Sequence, residues 1–129
     1  MKAKTIEEII IENMEIANGI LVATAIIEAY ERGRISRGEK GRSAGCSDKK
    51  TKLHYGIDER IITTTLFYLE EGSKILNRTG SPSARYVVSL TYRLKSLYDE
   101  NKCKFDKADE TSIQISKELA LNDIRKAMK

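Results

Sequence analysis

The sequence has few of the residues that build common catalytic and metal sites. It contains one histidine, two cysteines, one proline and no tryptophan. One histidine and two widely separated cysteines make neither an ordinary zinc site nor a disulfide framework. His54 has no nucleophile motif near it, so we do not expect it to be catalytic. The sequence also lacks the glycine pattern of a nucleotide-phosphate loop. We therefore expect no cofactor and no enzymatic activity.

A long hydrophobic run and a secretory signal are also missing. The chain begins at Met1, soon reaches Glu7 and Glu8, and shows no signal cleavage pattern. The uncharged segment Ile16–Ile27 is shorter than the roughly 20 residues that span a bilayer. We interpret these features as those of a cytoplasmic, reduced protein that does not associate with membranes.

The remaining composition is that of one soluble helical domain. The chain has 129 residues, of which 40% are hydrophobic and 33% are charged, which fits a single domain over residues 1–129. Apolar residues recur at helical spacing in four segments. These run from Thr5 to about Arg32, from Asp58 to about Asn77, from a Ser81 cap to about Asn101, and onward from about Asp109. The pattern predicts an all-α, four-helix bundle-like domain, with Gly33 ending the first helix.

Positive charge is concentrated in one segment and on one predicted helix face. The net charge is +4, yet residues 32–52 hold eight basic and two acidic side chains. Residues 33–52 show no sustained periodicity and predict a flexible, basic, glycine-rich loop after the first helix. The third predicted helix alternates basic residues with tyrosine, a pattern that suits phosphates and bases. The candidate anion-binding or nucleic-acid-binding residues are Arg34, Arg37, Lys40, Arg42, Lys49, Lys50, Arg85, Arg93 and Lys95.

The first predicted helix is apolar on nearly every side over Ile16–Ile27. A helix of this kind must be covered on every side. Either it runs through the centre of the domain or a second subunit covers its far side. We expect a homodimer. The candidate interface residues are Ile16, Ile20, Val22, Ala23, Ile26 and Ile27.

These patterns favour a small non-enzymatic binding protein with an anionic partner, most simply nucleic acid. Two alternatives stay open. One is an inhibitor or adaptor of the mobile-element type that docks on an acidic protein surface. The other is an oligomer that binds a small nucleotide. A helix-turn-helix over residues 77–96 is compatible with the short turn at Gly80, although any helical hairpin has the same pattern.

Overall fold

The computed structural model describes residues 4–38 and 53–128. These residues form four α-helices: α1 (Ile6–Ser36), α2 (Glu59–Arg78), α3 (Ala84–Glu100) and α4 (Glu110–Ala127). A short 3-10 turn, Lys102–Lys104, lies between α3 and α4. The described residues contain no strand. The prediction of an all-α, four-helix bundle-like domain is therefore confirmed.

Helix α1 begins where the sequence predicts and ends later. The Thr5 hydroxyl accepts a hydrogen bond from the Glu8 amide at 3.2 Å. The predicted end at Gly33 is wrong, because the helix continues to Ser36. The glycine that ends it is Gly38, whose φ of 84° is costly for other residues. Residues 33–36 of the predicted loop are thus helical, and residues 39–52 lie outside the described part of the chain.

Helix α2 contains a run of five β-branched residues, from Ile61 to Thr65, and two of its threonine hydroxyls have partners within the helix. Thr63 donates to the Glu59 carbonyl at 2.9 Å, and Thr65 donates to the Ile61 carbonyl at 2.7 Å. These bonds satisfy hydroxyls that would otherwise disfavour a buried helix position. The predicted helix over this segment is confirmed, with Asp58 as its N-cap.

The turn between α2 and α3 satisfies the carbonyls at the end of α2. Gly80 has a φ of 71°, and the Ser81 amide donates to the Leu76 carbonyl at 2.9 Å. This arrangement is a Schellman motif. The predicted start of α3 is early by two residues: the cap is Ser83 instead of Ser81. Pro82 therefore lies in the tight turn that precedes the helix.

Helix α2 is the centre of the bundle, because α1, α3 and α4 all pack against it. Helices α1 and α2 are antiparallel, since Ile10 lies against Gly72 while Glu28 bonds to Tyr55, which precedes α2. The short connection from α2 to α3 makes that pair antiparallel as well. Helix α3 therefore runs in the same direction as α1. The largest fully buried side chains are Phe105, Ile62, Leu69, Leu90, Leu94 and Val87.

A polar cluster, here called the Glu28 clasp, fixes the far half of α1. It consists of Glu28, Tyr55 and Lys104. The Tyr55 hydroxyl and the Lys104 ammonium both donate to the Glu28 Oε1 atom, each at 2.8 Å. Lys104 is only 6% exposed, and the aromatic rings of Tyr55 and Phe105 meet edge to face at 5.1 Å. The clasp joins α1 to the segments that precede α2 and follow α3.

The clasp changes the ionisation of its members. Burial opposes the charge on Glu28, but the hydrogen bonds from Lys104 and Tyr55 outweigh it and lower the pKa of this carboxyl. Burial, together with the bond to Glu28, raises the pKa of the Tyr55 hydroxyl. Both shifts favour the pair of a charged carboxylate and a neutral phenol that the geometry contains.

Replacing Gly72 with alanine should destabilise the protein. An added Cβ would lie 2.7 Å from Ile10 Cγ1, and Ile10 is a core residue with little room to move. Overpacking of this kind costs about 1–3 kcal/mol, which exceeds the gain in helix propensity. Gly33→Ala is the matched control, because its Cβ would meet Arg37 at an ordinary 3.6 Å. Urea unfolding should show opposite signs for the two variants, and a stabilised Gly72→Ala would contradict the α1–α2 contact.

Replacing Glu28 with glutamine should lower the free energy of unfolding by about 1–3 kcal/mol, because it leaves the buried Lys104 ammonium without a carboxylate. Adding Lys104→Met should restore part of the stability, since the unpaired charge is then gone. Glu71→Gln breaks an exposed ion pair with Lys74 and should change stability little. Equal destabilisation by Glu28→Gln and Glu71→Gln in chemical denaturation would show that the clasp is not a stabilising contact.

Candidate anion-binding face

Helix α3 turns its apolar side inward, so its cations face solvent. Val87 and Leu90 are fully buried, whereas Arg85, Arg93 and Lys95 are exposed. These three cations form no ion pair with the residues that the structure describes. The first three turns of α3 carry no acidic residue. This segment therefore presents positive charge that is free to meet an anion.

Two exposed tyrosines lie among these cations. Tyr92 is 72% exposed and Tyr86 is 54% exposed. Arg85 and Tyr92 are seven residues apart, as are Tyr86 and Arg93, and residues at this spacing share a side of a helix. The surface thus has two rows, each with one arginine and one tyrosine. Sequence reasoning missed Tyr86, although its spacing from Arg93 could have shown it. We call these four residues, together with Lys95, the α3 face.

The structure places Arg34 and Arg37, the two other predicted cations that it describes, away from the α3 face. Arg34 lies in the last turn of α1, where its Nη1 atom is 3.3 Å from the Glu31 Oε2 atom. Arg37 is the C-cap of the same helix. Because α1 and α3 run in the same direction, these two arginines lie beyond the end of α3 that is opposite to Arg85. The candidates Lys40, Arg42, Lys49 and Lys50 lie outside the described residues.

A groove of about 1080 Å³ lies between α1, α2 and α4. Its walls include the cations Lys4, Arg60 and Lys126, so it bears on the alternative of a small anionic ligand. Two of these cations already have carboxylate partners. Lys4 is 2.8 Å from Glu12, and Arg60 is 3.2 Å from Asp58. The groove is therefore less suited to an anion than the α3 face is.

One hydrogen bond in this groove links α2 to α4. The Tyr68 hydroxyl donates to the Asp123 Oδ2 atom at 2.8 Å. Burial raises the pKa of Tyr68, and the hydrogen bond to Asp123 raises it further. Tyr98 has the same pattern, since it is half-buried and donates to Glu59 at 2.8 Å.

Histidine and cysteine, which often serve as metal ligands or nucleophiles, form no metal or catalytic site in the described part of the chain. His54 is exposed. Cys103 is half-buried and disulfide-bonded, so the expectation of a reduced chain is wrong at this residue. Within residues 4–38 and 53–128, no group of three or more histidine, cysteine, aspartate or glutamate side chains is placed to hold a metal ion.

The structure divides the predicted interface residues of α1 between two sides. Ile20 is 5% exposed and belongs to the core of the chain itself, and Ile27 packs against that core. Ile16, Val22 and Ile26 are exposed, the last of them by 62%, and Ala23 is half-buried. Within residues 4–38 and 53–128, the helix is thus neither central nor covered on every side.

Helix α1 is also long and apolar enough to cross a membrane by the criteria of length and composition. An 18-residue window within it has a mean hydropathy of 1.5 and is 33% buried. The length of the uncharged run Ile16–Ile27 therefore does not by itself exclude a membrane span. Core helices of soluble proteins meet the same criteria.

Comparisons of the chain with models of protein families, with curated proteins and with solved structures gave no match.

Raising the pH above about 10 should destabilise the protein through Tyr68. Its pKa is higher in the folded state than in the unfolded chain, so its contribution is complete below the unfolded pKa of about 10 and declines above it. Tyr68→Phe should make the decline of unfolding free energy between pH 10 and 11 shallower, by up to about 1.4 kcal/mol per pH unit.

Asp123→Asn separates the two causes of this shift. It removes the carboxylate but keeps the burial, which is the larger cause, so most of the pH dependence should persist. Unfolding curves at several alkaline pH values provide the measurement. If the unfolding free energy of the wild type and of Tyr68→Phe falls equally steeply with pH, the pKa of Tyr68 is the same in the folded and unfolded states, which contradicts the prediction.

Proposed function

We propose that this chain is a non-enzymatic binding protein that engages an anionic partner, most simply nucleic acid, through the α3 face. The observation that supports this proposal is the run of three exposed cations with no acidic residue over three helical turns. Such a surface attracts a polyanion and favours its binding by releasing condensed counterions.

The side chains of the α3 face suit the two parts of a nucleotide. Arg85 and Arg93 can each form two parallel hydrogen bonds with one phosphate, and Lys95 adds a point charge. Tyr86 and Tyr92 can stack on bases that are not held in a duplex. Because stacking and phosphate contacts tolerate any base, we expect binding with little sequence preference.

The basic segment that follows α1 adds to this proposal from the sequence alone. Lys40, Arg42, Lys49 and Lys50 are close in the chain and would raise the positive potential of the molecule as a whole. Arg34 and Arg37 lie away from the α3 face, so they would contact a different part of a long polyanion.

A protein partner with an acidic surface is the second candidate, and the exposure of Tyr92 favours it. A tyrosine that is 72% exposed beside arginine is typical of the residues that dominate protein interfaces. An inhibitor or adaptor of this class would use the same α3 face. Affinity purification followed by mass spectrometry distinguishes the two candidates, since nucleic acid would instead raise the absorbance at 260 nm.

Neutralising the α3 face should weaken binding to any nucleic acid and reduce its salt dependence. The variant combines Arg85→Gln, Arg93→Gln and Lys95→Gln. The slope of log affinity against log salt should become shallower by roughly 0.7–0.9 for each phosphate that the variant no longer neutralises. Fluorescence anisotropy with labelled duplex DNA and single-stranded RNA, at several salt concentrations, measures this change.

The matched control removes three exposed charges from other parts of the surface: Lys107→Gln, Arg125→Gln and Lys126→Gln. Both variants have the same net charge, so a general electrostatic effect would weaken them equally. The proposal requires the α3-face variant to bind much more weakly than the control. Equal affinities, or a wild type that binds neither nucleic acid at low salt, would reject it and favour the acidic protein partner.

A further inference from the structure

The second half of helix α1, after Ile20, has buried polar residues and exposed apolar residues, whereas its first half buries isoleucines such as Ile6 and Ile10. Thr24 and Glu31 are buried, at 2% and 5% exposed, whereas Val22, Ile26 and Tyr30 are 58%, 62% and 65% exposed. An ordinary amphipathic helix has the reverse arrangement. Exposed apolar residues that occur singly are common, but a contiguous row marks an interaction site.

The buried polar side chains of α1 have hydrogen-bond partners in this orientation. Asn13 donates to the Ile9 carbonyl at 2.9 Å, and Thr24 donates to the Ile20 carbonyl at the same distance. In the described residues no buried polar side-chain atom lacks a partner. The Glu28 clasp holds the same side of the helix against the rest of the chain. Rotating α1 to bury its apolar row would break the clasp.

The exposed row repeats every three or four residues, which keeps it on one side of the helix. We call this side the α1 stripe; it consists of the half-buried Ala23 and the exposed residues Ile16, Gly19, Val22, Ile26 and Tyr30. Gly19 lies near its middle, and a Cβ at Gly19 would find nothing within 4 Å. A side chain from another molecule can therefore approach the backbone at this point.

Charge at the two ends of the stripe indicates which molecule covers it. The exposed side chains before the stripe include Glu8, Glu12 and Glu15, and those after it include Arg32 and Arg37. A helix with an acidic end, an apolar middle and a basic end is complementary to itself when two copies run in opposite directions. In a parallel pair, like charges would meet at both ends.

We propose that the α1 stripe docks on the same stripe of a second copy of this chain, with the two helices antiparallel and Gly19 opposite Ile26. In this register Val22 lies opposite Ala23, so large and small side chains alternate across the contact. Glu8 lies opposite Arg37. The arrangement has twofold symmetry, as most homodimers do. The sequence predicts a homodimer through this helix; the face, direction and register are the new inference, and none depends on anion binding.

A lipid bilayer is the rival occupant of the stripe. Covering α1 with lipid on all sides would require Glu28 to leave Lys104 and Tyr55, and would place Glu31 in the hydrocarbon region. A second copy covers the exposed side alone and leaves the clasp intact. The observations therefore favour the second copy.

Light scattering after size-exclusion chromatography tests whether a second copy of the chain covers the α1 stripe. The wild type at tens of micromolar should have twice the chain mass of 14.6 kDa. Val22→Asp should raise the dissociation constant of the dimer at least about a hundredfold, because the carboxylate would be buried without a partner. Ile115→Asp is the control, since Ile115 is exposed on α4 to a similar degree, 51%. Circular dichroism confirms that each variant is folded.

A cysteine pair tests the direction and register. A tagged Gly19→Cys chain mixed with untagged Ile26→Cys should form the mixed disulfide under mild oxidation. Either variant alone should cross-link little to itself, because equivalent residues would then lie about 10 Å apart along the axis, too far for a disulfide. Self-cross-linking of each variant would indicate a parallel pair and overturn the proposed direction.

Two further results would overturn the proposal as a whole. One is a monomeric wild type at tens of micromolar. The other is tight partition of the wild type into phosphatidylcholine vesicles that Val22→Asp abolishes, which would assign the stripe to lipid. Nucleic-acid binding by a monomeric Val22→Asp would leave the proposed function intact, so the two proposals can fail separately.

Discussion

The position of the far half of α1 depends on one carboxylate oxygen. With 31 residues against 20 in α2, α1 is longer by roughly 16 Å, and its far half extends past the start of α2. Glu28 Oε1 accepts from both Tyr55 and Lys104 there. Removing these groups from water is costly, and only their mutual bonds offset that cost. Because the clasp holds the side of α1 that carries Glu28 against the rest of the chain, the opposite side of this half, with Val22 and Ile26, stays exposed.

The helices could be predicted from the sequence because their caps involve residues close together in the chain. The Glu28 clasp could not, because its members are far apart in the chain. Caps such as Thr5 and Asp109 act within three residues, so their side chains can be recognised from the sequence. The Glu28–Lys104 pair joins positions 76 residues apart, and neither residue belongs to a motif. The polar segment around Lys104 resembles a solvated link in the sequence, yet it contains Phe105, which is 1% exposed.

The wrong helix end has a different origin, because the contacts involved are local. Gly33 and Gly38 are equally suited by composition to end α1, because either can adopt a positive φ. The choice depends on the turn that follows Gly33, where Arg34 pairs with Glu31 and the Ser36 hydroxyl donates to the Gly33 carbonyl at 2.9 Å. These contacts extend the helix by one turn and carry Arg34 away from the predicted loop. Arg34 and Arg37 at the end of α1 are separate in space from the basic residues of α3.

The two proposed surfaces share no residue, and this separation has a consequence for binding. If two copies pair through the α1 stripe, each still exposes its own α3 face, with Arg85, Arg93 and Lys95 available. A polyanion long enough to reach both faces would gain effective concentration for the second contact, so its affinity would exceed that of either face alone. A short oligonucleotide would gain nothing. The ligand length at which affinity rises thus reports the distance between the two α3 faces of the dimer. A monomeric variant such as Val22→Asp should lose this dependence on length while it keeps the affinity for short ligands.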